Sequence, residues 1–390
     1  MTVEMKLIAK LSMKSKLCSF LAILAPLAGI FPALAQVTNL SIVPAPGGQS
    51  VLYWPVSSTT NYVLQTTANL ASPNWVTATN AVTVNAVTVT NSTPAGFFRL
   101  QSTPTPAGMA LIPAGSFLMG NSIGDSDITD ANPTNVYVSA FYMDVNLVSS
   151  NRWAVIYNHA TNQGYVFNFA GSAKTDKNPV QTVNWYDCVA WCNARSQAEG
   201  LTPCYYTDAG LTQAYTNATG TGVYLNMANN GYRLPTEAEW EKAARGGLSG
   251  RRFPWGNLIS EGQANYYGDT NGISYDLGPN GYNAIGSIGG TLPSATSPTG
   301  SFDVNGYGLY DMAGNLFEWC WDWYAAPPYP AGSPYLGGTN PTGAGPPSGY
   351  RVLRGGAWDG FANDARCAYR TSNLPTYTFS NIGFRCVRGI

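Results

Sequence analysis

Apolar and polar positions change rhythm several times along this chain, and each change marks an element or a boundary. In 36–102, Val51-Leu52-Tyr53-Trp54, Tyr62-Val63-Leu64-Gln65 and Phe97-Phe98-Arg99-Leu100 read as short strands between turn clusters. Asn80-Ala81-Val82-Thr83-Val84 is nearly repeated as Asn85-Ala86-Val87-Thr88-Val89, with the partial alternation of a half-buried strand or hairpin. This stretch predicts a small all-β, sandwich-like module. Residues 103–108, with Pro104 and Pro106, predict a short stiff linker. From Met109 to Ile390 the pattern is mixed. Ile112–Gly120 reads as a strand and turn, and Val136–Met143 alternates as one strand. Asn151–Asn158 predicts a helix with Trp153, Ile156 and Tyr157 on one face, and Pro179–Val183 an extended segment. Asn184–Glu199 predicts a second helix, with Trp185, Val189 and Cys192 on its buried side and Gly200 as its stop. Arg233–Gly247 predicts a third. Thr236 is its N-cap, Glu239 completes a capping box, and Gly246 ends it. Loops dominate from there to two further strands, Arg351–Arg354 and Gly383–Arg388.

Composition narrows the class. Charged residues are only 11% of 390, against a usual quarter, while Gly numbers 42 and Pro 26, so the chain is loop-rich rather than a helical bundle. The formal net charge of −1 and the lack of a basic run argue against a nucleic-acid partner. Lys6, Lys10, Lys14 and Lys16 precede an apolar run over Leu17–Ile30, followed by Ala33-Leu34-Ala35. That order predicts a signal peptide over 1–35 cleaved after Ala35, with no membrane anchor left after cleavage. The expected location is secreted, periplasmic or cell-surface. Cys188, Cys192, Cys204, Cys320, Cys367 and Cys386 then remain, an even number that favours disulfides in an exported chain. Their spacing and the single His159, read as an exposed loop residue, do not make a zinc site.

The densest chemistry lies in Asn305–Tyr324, Asn-Gly-Tyr-Gly-Leu-Tyr-Asp-Met-Ala-Gly-Asn-Leu-Phe-Glu-Trp-Cys-Trp-Asp-Trp-Tyr. Its aromatics predict a core anchor. Asp311, Asn315 and Glu318 set side-chain oxygens at short spacing, as a calcium ion requires, although acids that cap turns in a buried hairpin produce the same pattern.

Several phrases resemble the formylglycine-generating enzyme (sulfatase-modifying factor) family. They are Ile112–Gly120, Gly231–Gly247, Phe253-Pro254-Trp255-Gly256-Asn257, Asn305–Tyr324, Arg354-Gly355-Gly356-Ala357-Trp358 and Gly383-Phe384-Arg385, in the family's order across 109–390. The resemblance implies an α+β, loop-rich domain of C-type-lectin-like fold with two structural calcium ions. One would be held by Asp311 and Glu318 with the carbonyls of Gly314 and Leu316. The other would use Asn265 and the Tyr266 carbonyl, then Asn280 and the Tyr282 carbonyl, with Asp276 as an alternative. It also implies a Cys192–Cys386 disulfide. Cys367 matches a second half-cystine whose usual partner position is Ala244, so Cys320 is assigned to it, leaving Cys188 with Cys204. The family's chemistry needs two Cys just beyond the Gly-Gly-Ser-Trp-like turn, where thiolates hold copper(I). Here Ala357 replaces the Ser, Gly360 stands at the first Cys position, and the short segment through Asn363 holds no second Cys. Nor can His159 alone supply the iron triad of sulfoxide-forming relatives.

The expectation is therefore a secreted, calcium-stabilised protein that binds a glycan, peptide or protein ligand, or serves as a scaffold, without copper. Its cleft would be Trp358, Asp359, Asn363, Asp364 and Arg370, with Phe361, Tyr369, Tyr377 and Phe379 as further aromatic anchors. The alternative is an oxidoreductase of the family type, or a divergent enzyme, acting in the same cleft on a protein cysteine.

Overall fold

The computed structural model describes residues 105–390 except 220–221, 287–294 and 344–348; within 1–104 it describes only the backbone of the strands. The chain divides into two compact units, Met1–Thr105 and Pro106–Ile390. In the first, Ser41–Ala45, Gln49–Tyr53 and Ala86–Thr90 form one antiparallel sheet. A second sheet has the order Ala9–Lys10, Phe97–Pro104, Thr60–Thr67, Val76–Thr77. The strand Phe97–Pro104 carries pairing to Pro104, into the stretch read as linker. A proline fits there because it ends the strand. The first half of the 80–89 repeat, and all of 1–35 beyond Ala9–Lys10, lie outside the described residues.

Among the described residues the second unit has three α-helices, three sheets of three or four strands and two two-stranded ribbons. Phe141–Asp144 pairs antiparallel with Met109–Ile112 on one side and Val387–Gly389 on the other, so the unit's two ends share one sheet; Tyr232–Arg233 completes it. A second sheet runs in the order Arg370–Asn373, Arg351–Arg354, Phe317–Trp323, Ile382–Gly383. A third joins Gly115–Met119, Thr134–Val138 and Gly338–Thr339. The single strand expected over 136–143 is thus two strands in two sheets. The alternation continues across the break, and only the different partners separate the halves. Likewise 383–388 divides into Ile382–Gly383 and Val387–Gly389.

Helix α1 spans Ser150–Asn162, longer than its apolar face suggested, and carries exposed His159 in its last turn rather than in a loop. Helix α2, Trp185–Ala198, is capped by Asn184 with Asp187 closing a capping box. It is buried on nearly all sides. Trp191 stacks on Trp153 at 5.9 Å, and Phe384 stands edge-on to both, which fixes α1, α2 and the C-terminal segment in one core. Helix α3, Glu237–Ala244, has the predicted Thr236–Glu239 capping box, but Arg233 lies in a strand before it.

The helix α3 is held by charge as well as by apolar packing. Glu237, Glu239 and Glu241 are all buried. Arg370 grips Glu237 through Nε and Nη2 at 2.7 Å each. Arg233 holds Glu239 at 2.6 and 2.7 Å, while Arg245 and Arg354 converge on Glu241. Buried carboxylates of this kind persist only when paired and hydrogen-bonded.

All six described cysteines are buried, and none is bonded to another in this structure. Cys192 and Cys386 do face each other, sulfur to sulfur at 3.5 Å. Cys188 lies one turn before Cys192 on α2 and is buried in the same core cluster as Cys386. Cys204 instead lies by the Asn229 carbonyl, near Arg233 and Arg388. Cys320 and Cys367 belong to one core cluster, with Cys367 nearest Arg245, Glu241 and Arg354.

Candidate functional site

The loop leading into Phe317–Trp323 is shaped by backbone that few residues tolerate. Asp311, Gly314 and Asn315 have φ of 55°, 76° and 69°. At Gly314 a Cβ would sit 2.3 Å from the Asn265 carbonyl oxygen, so glycine is required by space as well as by conformation. Asn315 N donates to that same carbonyl at 2.7 Å, tying the loop to the 265 segment. Asp311 is buried; its Oδ2 accepts from Gly300 N at 2.9 Å, and its Oδ1 has no partner. Burial pushes its carboxyl up to about 6. Glu318 lies at the start of the strand with both oxygens on Arg385, at 2.8–3.0 Å. A carboxylate offers about four lone-pair sites, so the Arg385 contact leaves Glu318 able to bind a cation as well.

The residues expected at a second calcium site are less gathered. Asn265 Oδ1 is buried without a partner. Asn280 spends its side-chain oxygen on Thr270 N at 2.7 Å. Tyr282 pairs with Tyr267 in an exposed two-stranded ribbon. Asp276 is taken up by Tyr266 Oη, Gly278 N and Asp269 N. Orphaned buried oxygens mark Asp311, Asn265 and also Glu261, but Asn280 and Asp276 are spent on protein donors, whereas Asp311 keeps a free oxygen with Glu318 seven residues on. The Asp311–Glu318 group therefore fits calcium better than the 265–282 group.

The turn Ala357–Asp364 follows the sheet strand Arg351–Arg354. Trp358 N donates to the Asn315 carbonyl at 3.0 Å, so this turn rests on the Asp311–Glu318 loop. Trp358 is half-buried, and its Nε1 donates to Ser380 O at 3.1 Å. Asp359 is exposed and accepts from Asn381 Nδ2. Asp364 turns inward beneath the turn; burial raises its carboxyl, and Tyr369 hydrogen-bonds to it. Asn363 is half-buried, with Oδ1 unpartnered and its carbonyl on Arg366 Nε. Gly360 offers only backbone, its carbonyl accepting from Tyr267 N at 2.8 Å. Cys367 is buried below.

Arg370 does not belong to this surface. It is buried, clamped to Glu237 and enclosed by the Tyr324 and Tyr335 rings at 4.6 and 4.5 Å. Its partner lies 133 residues away, which is why the sequence suggested a free cleft arginine. Of the five cleft residues expected, the structure leaves Trp358 and Asp359 at the surface together. It adds two residues not expected as contacts. The Tyr267 ring meets Phe361 at 5.3 Å and Tyr282 at 4.7 Å, and Tyr282 meets Trp358 at 5.8 Å. Tyr267 carried no sequence signal beyond being aromatic, because the contact is made by a ribbon whose loop has no regular period.

Residues 94–390 match the family described as sulfatase-modifying factor enzyme 1-like domain. The chain belongs to the sulfatase-modifying factor family. A formylglycine-generating enzyme of Thermomonospora curvata is 32% identical over 299 residues, covering 72% of this chain and 92% of that protein. Serine/threonine-protein kinase pkn1 of Chlamydia caviae is 31% identical over 285 residues; the match covers 72% of this chain but spans only 38% of the kinase. Among solved structures, Treponema denticola variable protein 1 superposes with a TM-score of 0.54 at 28% identity, covering 72% of this chain and 95% of that one. The fold of residues 106–390 is thus the α+β, C-type-lectin-like fold of sulfatase-modifying factor domains.

Proposed function

We propose that this sulfatase-modifying factor domain is a calcium-braced, exported protein that binds a ligand on its loop surface and does not carry out copper-dependent oxidation of a protein cysteine. The observation that carries the reading is the turn Ala357–Asp364. Copper(I) chemistry needs soft thiolate ligands. Gly360 supplies none, Asn363 is an amide, and the nearest sulfur in sequence, Cys367, is buried beneath the turn. In the space above stand aromatic rings, with Asp359 and Asn381 beside them. Calcium at Asp311, Glu318 and the carbonyls of Gly314 and Leu316 would stiffen the loop on which Trp358 rests. When bound it supplies charge neutralisation for the orphaned Asp311 oxygen, not a reactive centre. The lysine-led apolar leader supports export.

The test is direct. The purified chain is supplied with copper(I), oxygen and a cysteine-bearing peptide, and its metal content is measured. Calcium retained, copper not taken up and the peptide unchanged in mass are the expected results. Conversion of the peptide's thiol to an aldehyde with oxygen uptake would overturn the reading and make the domain a formylglycine-generating-type oxidoreductase.

A further inference from the structure

The rings around the turn form more than a local cluster. Phe361, Tyr267, Tyr282 and Trp358 follow one another at 5.3, 4.7 and 5.8 Å. Trp358 then bonds to Ser380, beside Phe379, whose ring lies 6.3 Å from that of Tyr377. Four rings thus form one chain of contacts, and the separate pair Tyr377–Phe379 is tied to it through the Trp358–Ser380 hydrogen bond. Four of these rings are open to solvent: Tyr282 at 40%, Phe361 at 43%, Phe379 at 46% and Tyr377 at 49%. Two neighbouring groups of aromatic rings left this exposed mark an interaction surface rather than ordinary surface scatter.

The charge of this surface selects its occupant. Residues 267–282, 358–364 and 373–382 contain no lysine or arginine. The acids among them are already engaged: Asp269 caps its own turn, Asp276 is buried, Asp364 faces Tyr369, and Asp359 holds Asn381. An anionic polymer would therefore find no counter-charge. What alternates with the rings is hydroxyl and amide: Thr376, Thr378, Ser380 and Asn381. Flat apolar faces set among neutral hydrogen-bonding groups complement a ligand that presents C–H faces and hydroxyls in alternation. We propose that this surface binds an extended, uncharged polysaccharide chain, with the exposed rings of Tyr282, Phe361, Tyr377 and Phe379 each offering apolar area to a sugar ring. This inference rests on the ligand-binding reading above and names the ligand class.

The experiment uses the full chain in affinity gel electrophoresis with mixed-linkage glucan, galactomannan and yeast mannan, with polygalacturonate as the acidic comparator. Co-sedimentation with cellulose and chitin covers insoluble polymers. Retardation or co-sedimentation with at least one neutral polymer is expected, unchanged in 1 M salt. Tyr282→Ala, Phe361→Ala, Tyr377→Ala and Phe379→Ala remove exposed rings and should leave the melting temperature unchanged. Each should weaken binding roughly 2- to 10-fold, the range of a single ring contact. No interaction with any of the five neutral polymers, interaction with polygalacturonate alone, or binding that survives the combined four-ring variant would overturn the proposal. The copper and peptide assay separates the two readings. Peptide oxidation removes the parent reading; an inert peptide together with no polysaccharide binding removes only this inference.

Discussion

Removing Glu318 should expose how this domain is held together. Arg385 is fully buried, as is Glu318, and the two share three contacts of 2.8–3.0 Å. The remaining donors of Arg385 reach the carbonyls of Tyr310, Asp311, Asp144 and Val145, which are dipoles and not charges. Glu318→Ala therefore strands a guanidinium in a dry interior. Breaking a buried pair from one side costs about 3–5 kcal/mol. At roughly 2–4 °C per kcal/mol for a domain of this size, the melting temperature should fall by about 6–20 °C. The double variant Glu318→Ala/Arg385→Met removes both charges and should regain much of that loss, because no unpaired ion remains. Circular dichroism melts in EDTA measure the pair alone; repeating them in calcium measures the proposed metal, whose stabilisation both variants should lack. If Glu318→Ala shifts the melt by less than about 3 °C, or melts together with the double variant, the pair is not a mutually compensating buried ion pair.

Three further outcomes follow from other sites. Burial raises the Asp311 carboxyl from 3.8 to about 6 in the metal-free protein, so the folded state holds its proton longer than the unfolded chain does. Its contribution then falls as pH rises from about 4 to 6; Asp311→Asn should flatten that part of the urea-measured stability profile, gain up to about 3 kcal/mol above pH 6 in EDTA, and abolish stabilisation by calcium. Mild oxidation should link Cys192 to Cys386, whose sulfurs lie 3.5 Å apart, as read by peptide mass after digestion; absence of that linked peptide while either cysteine is found joined to another would contradict the geometry. Thr236→Ala removes the acceptor for Glu239 N from the α3 capping box and should cost about 1 kcal/mol, a melting shift of about 2–4 °C.

Local signals survived the passage from sequence to structure, and distant pairings did not. Thr236 and Glu239 are three residues apart and announce their helix end, as the structure bears out. The break between Val138 and Phe141 leaves no mark in the alternation, because it is decided by the strands that come to lie beside each half. Glu318 reads as a calcium ligand from its neighbours in sequence, yet its arginine is 67 residues on. Arg370 reads as a cleft residue because Glu237 is 133 residues away. The aromatic surface was half visible: Trp358, Phe361, Tyr377 and Phe379 lie near the recognisable turn, whereas Tyr267 and Tyr282 reach it from a ribbon that sequence spacing does not place.

The buried arginine–carboxylate pairs have one more consequence. Arg195–Asp144, Arg233–Glu239, Arg354–Glu241, Arg370–Glu237 and Arg385–Glu318 fasten helices, strands and the C-terminal segment to one another. Not one of them involves Tyr267, Tyr282, Trp358, Phe361, Tyr377 or Phe379. The ties that keep the domain folded and the side chains that meet the outside world are therefore separate sets of residues. Replacing the exposed rings should therefore alter the outer surface while leaving the frame intact, so that loop substitutions there can accumulate at little cost in stability.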